Sequence, residues 1–349
     1  MDQHRRDFLK TAGLAAAPLA AAAAPLTEKE KLARLASNTW PIRNIFKSRT
    51  GYGRGQRADE MKKKYGEITM LDFPQFTRDT FPGVTRMDLF SGLFGDAADE
   101  SMYVQVPVIV GTITRSTTEF DPSSVAGRRW LDSLANQMAA TGTSCQHISN
   151  NAPRDICEPD AEKRKAGIAV AKKWLDGAKI LGAKSMRVNS GGPRIAPSAV
   201  ATADYPKADE LAMYLRNCIE SFREMADYGA KVGTRVTLEN HWGLTANPIN
   251  IRIIVDEVKS PYCEASPDFC NWEHEYLMYN GLKALAPYAH TNVHAKYWNR
   301  WPDTQSVARS VKIMLDAGFE GTFALEYEDG PWDGVEGSKY LYKEVLAAL

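Results

Sequence analysis

The chain has 349 residues, 44% hydrophobic and 25% charged, enough to bury one large core. Lys and Arg number 43, as do Asp and Glu, and the pI is near 7, so no basic footprint for nucleic acid is expected. Five cysteines, at 145, 157, 218, 263 and 270, are odd in number and lack a C-x-x-C pair, which argues against a disulfide framework or a zinc–thiolate site. Most read as small buried hydrophobes, with one disulfide at most.

The N-terminus opens with "RRDFLK" (residues 5–10), followed by the Ala-rich run "TAGLAAAPLAAAAAPL" (11–26). Two arginines, then Phe8-Leu9 and Lys10 before a weakly apolar segment resemble a twin-arginine export signal. The run is too short and too mildly apolar for a transmembrane helix. Cleavage is expected near Ala22 to Ala24, so 1–26 is read as signal and 27–349 as the mature domain. The resemblance implies the twin-arginine translocon as a partner during export, and a periplasmic or extracellular destination. That route suits proteins that fold, often around a metal or cofactor, before crossing.

Residues 34–40 ("RLASNTW") and 84–91 ("VTRMDLFS") read as the first two strands, with a helix over 71–83 between them. Residues 43–66 are polar and basic and have no clear assignment. "YVQVPVIVGTI" (103–113) reads as an inserted strand or hairpin. From 120 onward helix-like and β-rich runs alternate at roughly the size of one βα unit. Helices over 124–142, 161–182, 210–229, 247–258, 273–289 and 304–318 precede strands over 144–149, 184–190, 235–240, 262–269, 291–297 and 322–328; a last helix covers 337–349. Gly182, Gly229 and Gly318 read as helix ends. Eight strands alternating with helices predict an α/β fold, a single (β/α)8 TIM barrel. A doubly wound open sheet is the alternative, but the first strand is followed by no Gly-rich phosphate loop.

In such barrels chemistry gathers where strands end. The fifth strand, "RVTLENHWG", stops on Glu239, whose burial demands a counter-charge. The sixth ends at Asp268 ("ASPDF"), the seventh at His294 ("TNVHAKY") and the eighth at Glu326 ("FALEYE"). With period-two alternation, Thr237, Ser266, Asn292 and Ala324 point inward beneath them, and Leu238, Val293 and Leu325 face the helices. A strand-terminal carboxylate alone is commonly a loop anchor or helix cap. Four such residues in four successive units, all at strand ends, instead form a hard, oxygen-rich site with one nitrogen, suited to one divalent ion: Mn²⁺ first, with Mg²⁺, Co²⁺ or Zn²⁺ as alternatives. That ion is the expected partner of Glu239. Glu328 and Asp329 read as rim residues.

"LENH", the Asp of "PDF", "VHAK" and "ALEYE" resemble the xylose isomerase-like TIM-barrel superfamily, and within it the sugar phosphate isomerase/epimerase branch with the ketose 3-epimerases. The resemblance spans most of the mature chain and is sharpest over 230–330. It implies that Glu239, Asp268, His294 and Glu326 bind the metal and that the two glutamates act as acid and base. It also implies that Arg300, six residues after the histidine, contacts substrate oxygens. The chain departs from the epimerase pattern at Asn271, where those enzymes carry a substrate-binding histidine.

Six of the eight tryptophans, at 40, 242, 272, 298, 301 and 332, follow strand ends and suit stacking on a sugar or glycoside. Trp242, Trp298, His147, His241, Lys296 and Arg300 are therefore the expected substrate contacts. Three function classes are compatible with these residues. The first is an exported metal-dependent isomerase or epimerase moving a proton at a carbon next to a carbonyl. The second is a metal-dependent lyase, acting on 3-keto-glycosides or inososes. The third is a non-catalytic metal-bound sugar-binding protein. A homo-oligomer is compatible with each.

Overall fold

The structure is a computed structural model and describes residues 25–49, 51–110, 113–154, 156–192 and 208–349. All of the expected export signal except Pro25 and Leu26 lies outside the described residues. The described residues form ten strands: β1 Leu35–Asn38, β2 Arg86–Phe90, β3 Tyr103–Val110, β4 Ile113–Phe120, β5 Ser144–Ser149, β6 Ser185–Arg187, β7 Arg235–Leu238, β8 Cys263–Ala265, β9 Asn292–Trp298 and β10 Thr322–Asp329. Eight of them make one parallel sheet in the order β8-β7-β6-β5-β2-β1-β10-β9. A parallel bridge between Asp268 and His294 joins the two ends, with Phe269 N donating to His294 O at 3.1 Å and His294 N to Pro267 O at 3.1 Å. The sheet is thereby a closed (β/α)8 barrel, as the alternation of elements implies.

The described α-helices are α1 Glu28–Leu32, α2 Gln56–Tyr65, α3 Phe73–Thr80, α4 Val125–Thr141, α5 Ala161–Leu181, α6 Ala208–Val232, α7 Pro248–Val258, α8 Leu277–Leu285, α9 Val307–Asp316 and α10 Gly334–Ala348. Their ends are set locally. Ser124 caps α4 by accepting from Gly127 N, Asp160 caps α5 through Glu162 N and Lys163 N, and Gly182 closes α5 in the left-handed region. Gly229 departs from its expected role: it lies inside α6, and Gly233 (φ 85°) follows the helix end instead. A Cβ on Gly229 would collide with the Thr234 carbonyl oxygen, so close backbone approach accounts for that glycine. Among the described residues no helix is long and apolar enough to cross a membrane.

The polar, basic stretch near residue 56 forms α2, whose apolar content is too low to show a helical period; only Ala58 and Met61 on it are buried. The insertion after β2 is the antiparallel hairpin β3–β4. Its base packs Phe120 on Phe94 and Trp130, at centroid distances of 5.8 and 5.2 Å. Leu238, Val293 and Leu325 are wholly buried. All five cysteines are buried free thiols.

Candidate metal centre

Strand parity and barrel stagger bring four side chains to one point. His294 Nδ1 lies 3.4 Å from Glu239 Oε2, 3.5 Å from Glu326 Oε2 and 3.8 Å from Asp268 Oδ2. Along the sheet Glu326 pairs with Lys296, and His294 with Ala324. Because barrel strands tilt, residues offset in register still meet at one height about the axis. Asp268 stands three residues beyond the end of β8, held by the bridge to β9 and by Asn240, which accepts from Asp268 N (2.8 Å) and donates to Asp268 O (3.0 Å).

Beneath this cluster lies a second layer. Asp88 Oδ2 accepts from Asn292 Nδ2 (3.0 Å) and sits 2.9 Å from His294 Nε2, while Asp88 Oδ1 accepts from Ser149 Oγ (2.8 Å). The pairing of β2 with β5 shifts by one residue between Met87 and Asp88, setting Asp88 opposite His147. Asp88 was not among the expected site residues. A carboxylate between Met87 and Leu89, inside the strand, was the signal for it. Holding Nε2, Asp88 turns Nδ1 toward the three carboxylates.

Glu239 also has a counter-charge within the chain itself. Arg187, at the end of β6, places Nη1 2.6 Å from Glu239 Oε2, with Nη2 donating to Asn151 Oδ1 (2.8 Å) and Nε to Asn150 O (3.2 Å). Asn271 Nδ2 donates to Glu239 Oε1 at 2.8 Å. Lys296 Nζ lies 2.8 Å from Glu326 Oε1 and 3.3 Å from Asp268 Oδ2. Parity would have found Arg187, since it follows Ser185 by two residues and Ser185 Oγ meets His147 Nδ1 at 2.8 Å.

These contacts set the protonation of each group. Burial disfavours the ionised form of Glu239, yet Arg187 and His294 hold it well below the usual carboxylate range. Glu326 is likewise lowered against its burial, by Lys296 and His294. Asp268 goes the other way: burial pushes it up to about 7 despite Lys296. Burial works against a charged His294, but Glu326, Glu239 and Asp88 raise it well above the ordinary imidazole value.

Two atoms of the cluster, Asp268 Oδ2 and His294 Nδ1, are buried with no hydrogen-bond partner. Buried polar atoms are seldom left so, and these two face one another. Donors on a small divalent ion stand ~3.4 Å apart when the bonds are ~2.1 Å and the arrangement tetrahedral. Glu239, Asp268 and His294 meet that spacing closely enough to hold a metal ion, as do Asp88, His147 and His294 beneath them. The donor set of carboxylates and one imidazole is hard.

The other expected contacts divide. His241 is part-buried with Nδ1 unpartnered, and burial pushes its imidazole down to about 4. His147 is wholly buried, 5.8 Å ring to ring from His294. Arg300 lies over the rings of Trp298 (4.7 Å) and Trp301 (4.5 Å) and donates to Trp272 O (2.8 Å). Trp242 and Trp298 are part-buried; Trp272 is 1% exposed, an internal packing residue and no sugar platform. Glu328 accepts from Trp40 Nε1 at 2.6 Å and lies 3.3 Å from Lys296 Nζ, which ties this rim residue to the cluster.

A family profile described as xylose isomerase-like TIM barrel matches residues 115–349. The chain belongs to that family. No curated protein matches its sequence. Among solved structures it is similar to a xylose isomerase-like TIM-barrel protein from Mycobacterium smegmatis in complex with magnesium (14% identity, 90% of this chain and 97% of that one, TM-score 0.54). It is similar too to an L-ribulose 3-epimerase (12%, 90% and 92%, 0.55) and to a D-psicose 3-epimerase from Clostridium cellulolyticum H10 with D-tagatose (14%, 81% and 92%, 0.52). At these identities the likeness is one of fold. This xylose isomerase-like chain therefore shares the barrel of sugar epimerases and carries, at its mouth, its own arrangement of charges.

Proposed function

We propose that this protein is a divalent-metal-dependent isomerase or epimerase that moves a proton at a carbon beside the carbonyl of a sugar. The observation that carries the reading is the convergence of Glu239, Asp268 and Glu326 on His294 Nδ1, where neither Nδ1 nor Asp268 Oδ2 makes a hydrogen bond. These four would hold the ion, with Mn²⁺ the favoured identity. Once bound, it supplies a Lewis acid that stabilises negative charge on adjacent substrate oxygens.

The rest of the chemistry belongs to the chain. Glu239 on the β7 end and Glu326 on β10 approach the cluster from separate strands, so one can take the proton and the other return it. Arg187 keeps Glu239 ionised, the form that accepts a proton. Asn271 donates to Glu239 Oε1 and accepts from Lys296 Nζ (3.0 Å), fixing both against each other. Arg300, Trp298 and Trp301 line a rim that suits hydroxyls and apolar sugar faces.

Asn271 also favours a second reading. It stands where the epimerase pattern has a histidine, and the same proton abstraction would expel a β-leaving group from a 3-keto-glycoside or inosose. Proton NMR in D₂O of the Mn²⁺-loaded protein with ketoses, inososes and 3-keto-glycosides separates the two. Loss of an α-C–H signal with the carbon skeleton intact is expected; loss with release of aglycone or water makes it a lyase. Glu239→Gln and Glu326→Gln should each lower exchange by 10²-fold or more, on the order of what general acid–base catalysis contributes. Turnover unaffected by either change, with metal still bound, would overturn the roles. Export through the twin-arginine route is proposed from Arg5-Arg6, and an Arg5→Lys/Arg6→Lys variant retained in the cytoplasm would support it.

A further inference from the structure

Besides Arg187 on Glu239, the cluster contains a second cation that a metal centre does not require. Lys296 follows His294 by two residues on β9, so both side chains enter the barrel. It is 3% exposed, and register sets it beside Glu326. An ammonium withdrawn this far from water must be surrounded by negative charge. Lys296 finds it in Glu326 Oε1 (2.8 Å), Asp268 Oδ2 (3.3 Å) and Glu328 Oε2 (3.3 Å), and donates to Asn271 Oδ1 (3.0 Å). Two of those carboxylates are the ones assigned to the metal.

Asp268 shows the conflict. Its Oδ1 is committed to backbone N–H groups, Cys270 N at 2.6 Å and Asn271 N at 2.9 Å. Only Oδ2 remains for a cation, and it stands between Lys296 Nζ and His294 Nδ1. Glu326 is split in the same way, with Oε1 on Lys296 and Oε2 toward His294 and Asn38 Nδ2 (3.2 Å). A divalent ion on Oδ2 and an ammonium on the same oxygen would repel each other at low local dielectric. Glu328 offers the ammonium somewhere to go. Trp40 Nε1 and Arg43 Nη2 (3.5 Å) anchor it, and it lies outside the proposed ligand set.

Resting on the metal-centre reading, we propose that Lys296 is a tethered counter-ion: it neutralises Asp268 and Glu326 when no divalent ion is present, and withdraws onto Glu328 and Asn271 when one enters. On Asp268 and Glu326, metal uptake is thus an exchange of one cation for another. Lysine and metal compete for the same oxygens, so the lysine weakens metal binding.

The test is Mn²⁺ binding to the full chain, stripped with chelator, followed by calorimetry and by EPR of free Mn²⁺. Lys296→Met is expected to bind Mn²⁺ at least ten-fold more tightly than the wild type. Glu328→Gln, which removes the place the ammonium moves to, is expected to bind several-fold more weakly. Equal affinity in wild type and Lys296→Met, or weaker binding in the variant, overturns the exchange while the metal centre stands. Should Lys296→Met fail to fold, Glu328→Gln decides by itself, since unchanged affinity there overturns the proposal. If no protein binds Mn²⁺, Lys296→Met included, the metal centre falls and the exchange with it.

Discussion

Replacing Arg187 by Met tests the electrostatic account of the cluster most directly. The guanidinium is 6% exposed and its Nη1 is 2.6 Å from Glu239 Oε2, itself deep in the barrel mouth. Removing one member of a buried ion pair leaves the other charge uncompensated, which costs about 3–5 kcal/mol. The bonds to Asn151 and Asn150 are lost as well, roughly 1 kcal/mol each. Glu239 keeps Asn271 and His294 as partners, which offsets part of that. R187M should therefore lose about 3–4 kcal/mol in the metal-free protein at pH 7. Urea unfolding followed by tryptophan fluorescence measures it, with E239Q and R187M/E239Q completing a double-mutant cycle. Neutralising Glu239 removes the stranded charge, so the double variant should recover at least about 2 kcal/mol relative to additivity. A loss under about 1 kcal/mol in R187M, or additivity within about 0.5 kcal/mol, would refute the pairing as the stabilising contact.

Two further outcomes follow from neighbouring residues. Asp88→Asn keeps the shape but places an amide against His294 Nε2, which releases the orientation of Nδ1. Mn²⁺ affinity, read by calorimetry, should fall about 10- to 100-fold, and unchanged affinity would show that Asp88 does not position the imidazole. Glu264, early in the β8 strand, is buried, with Oε1 accepting from Thr291 N (3.1 Å) and Oε2 3.7 Å from Arg235 Nε without a hydrogen bond. Burial pushes its carboxyl up to about 7. A raised carboxyl disfavours the ionised form in the fold, so its contribution to stability is present at low pH and is lost as pH rises from about 4.5 to about 7. Glu264→Gln should match the wild type at pH 5 and exceed it by about 1–3 kcal/mol at pH 8, in urea unfolding at the two pH values. Equal stability at pH 8 would mean that Glu264 is solvated and unstrained.

The barrel was legible in the sequence because its signals are local. A strand shows as a short β-rich run, a helix as a longer periodic one, and the βα unit repeats both often enough to count. Period-two alternation then names the inward residues, so Glu239, Asp268, His294 and Glu326 can be read as one group without coordinates. The α2 helix escaped because it is largely exposed and polar, leaving little apolar periodicity to detect. What the linear order did not contain is which charges meet. Asp88 reaches His294 across 206 residues, Arg187 reaches Glu239 across 52, and Lys296 faces Glu326 through the β9–β10 register. Each of those pairings depends on strand stagger and on the barrel closing between Asp268 and His294. Composition supplies the charges, but in a desolvated mouth the attraction between two of them varies steeply with their separation, and only the closed barrel sets that distance.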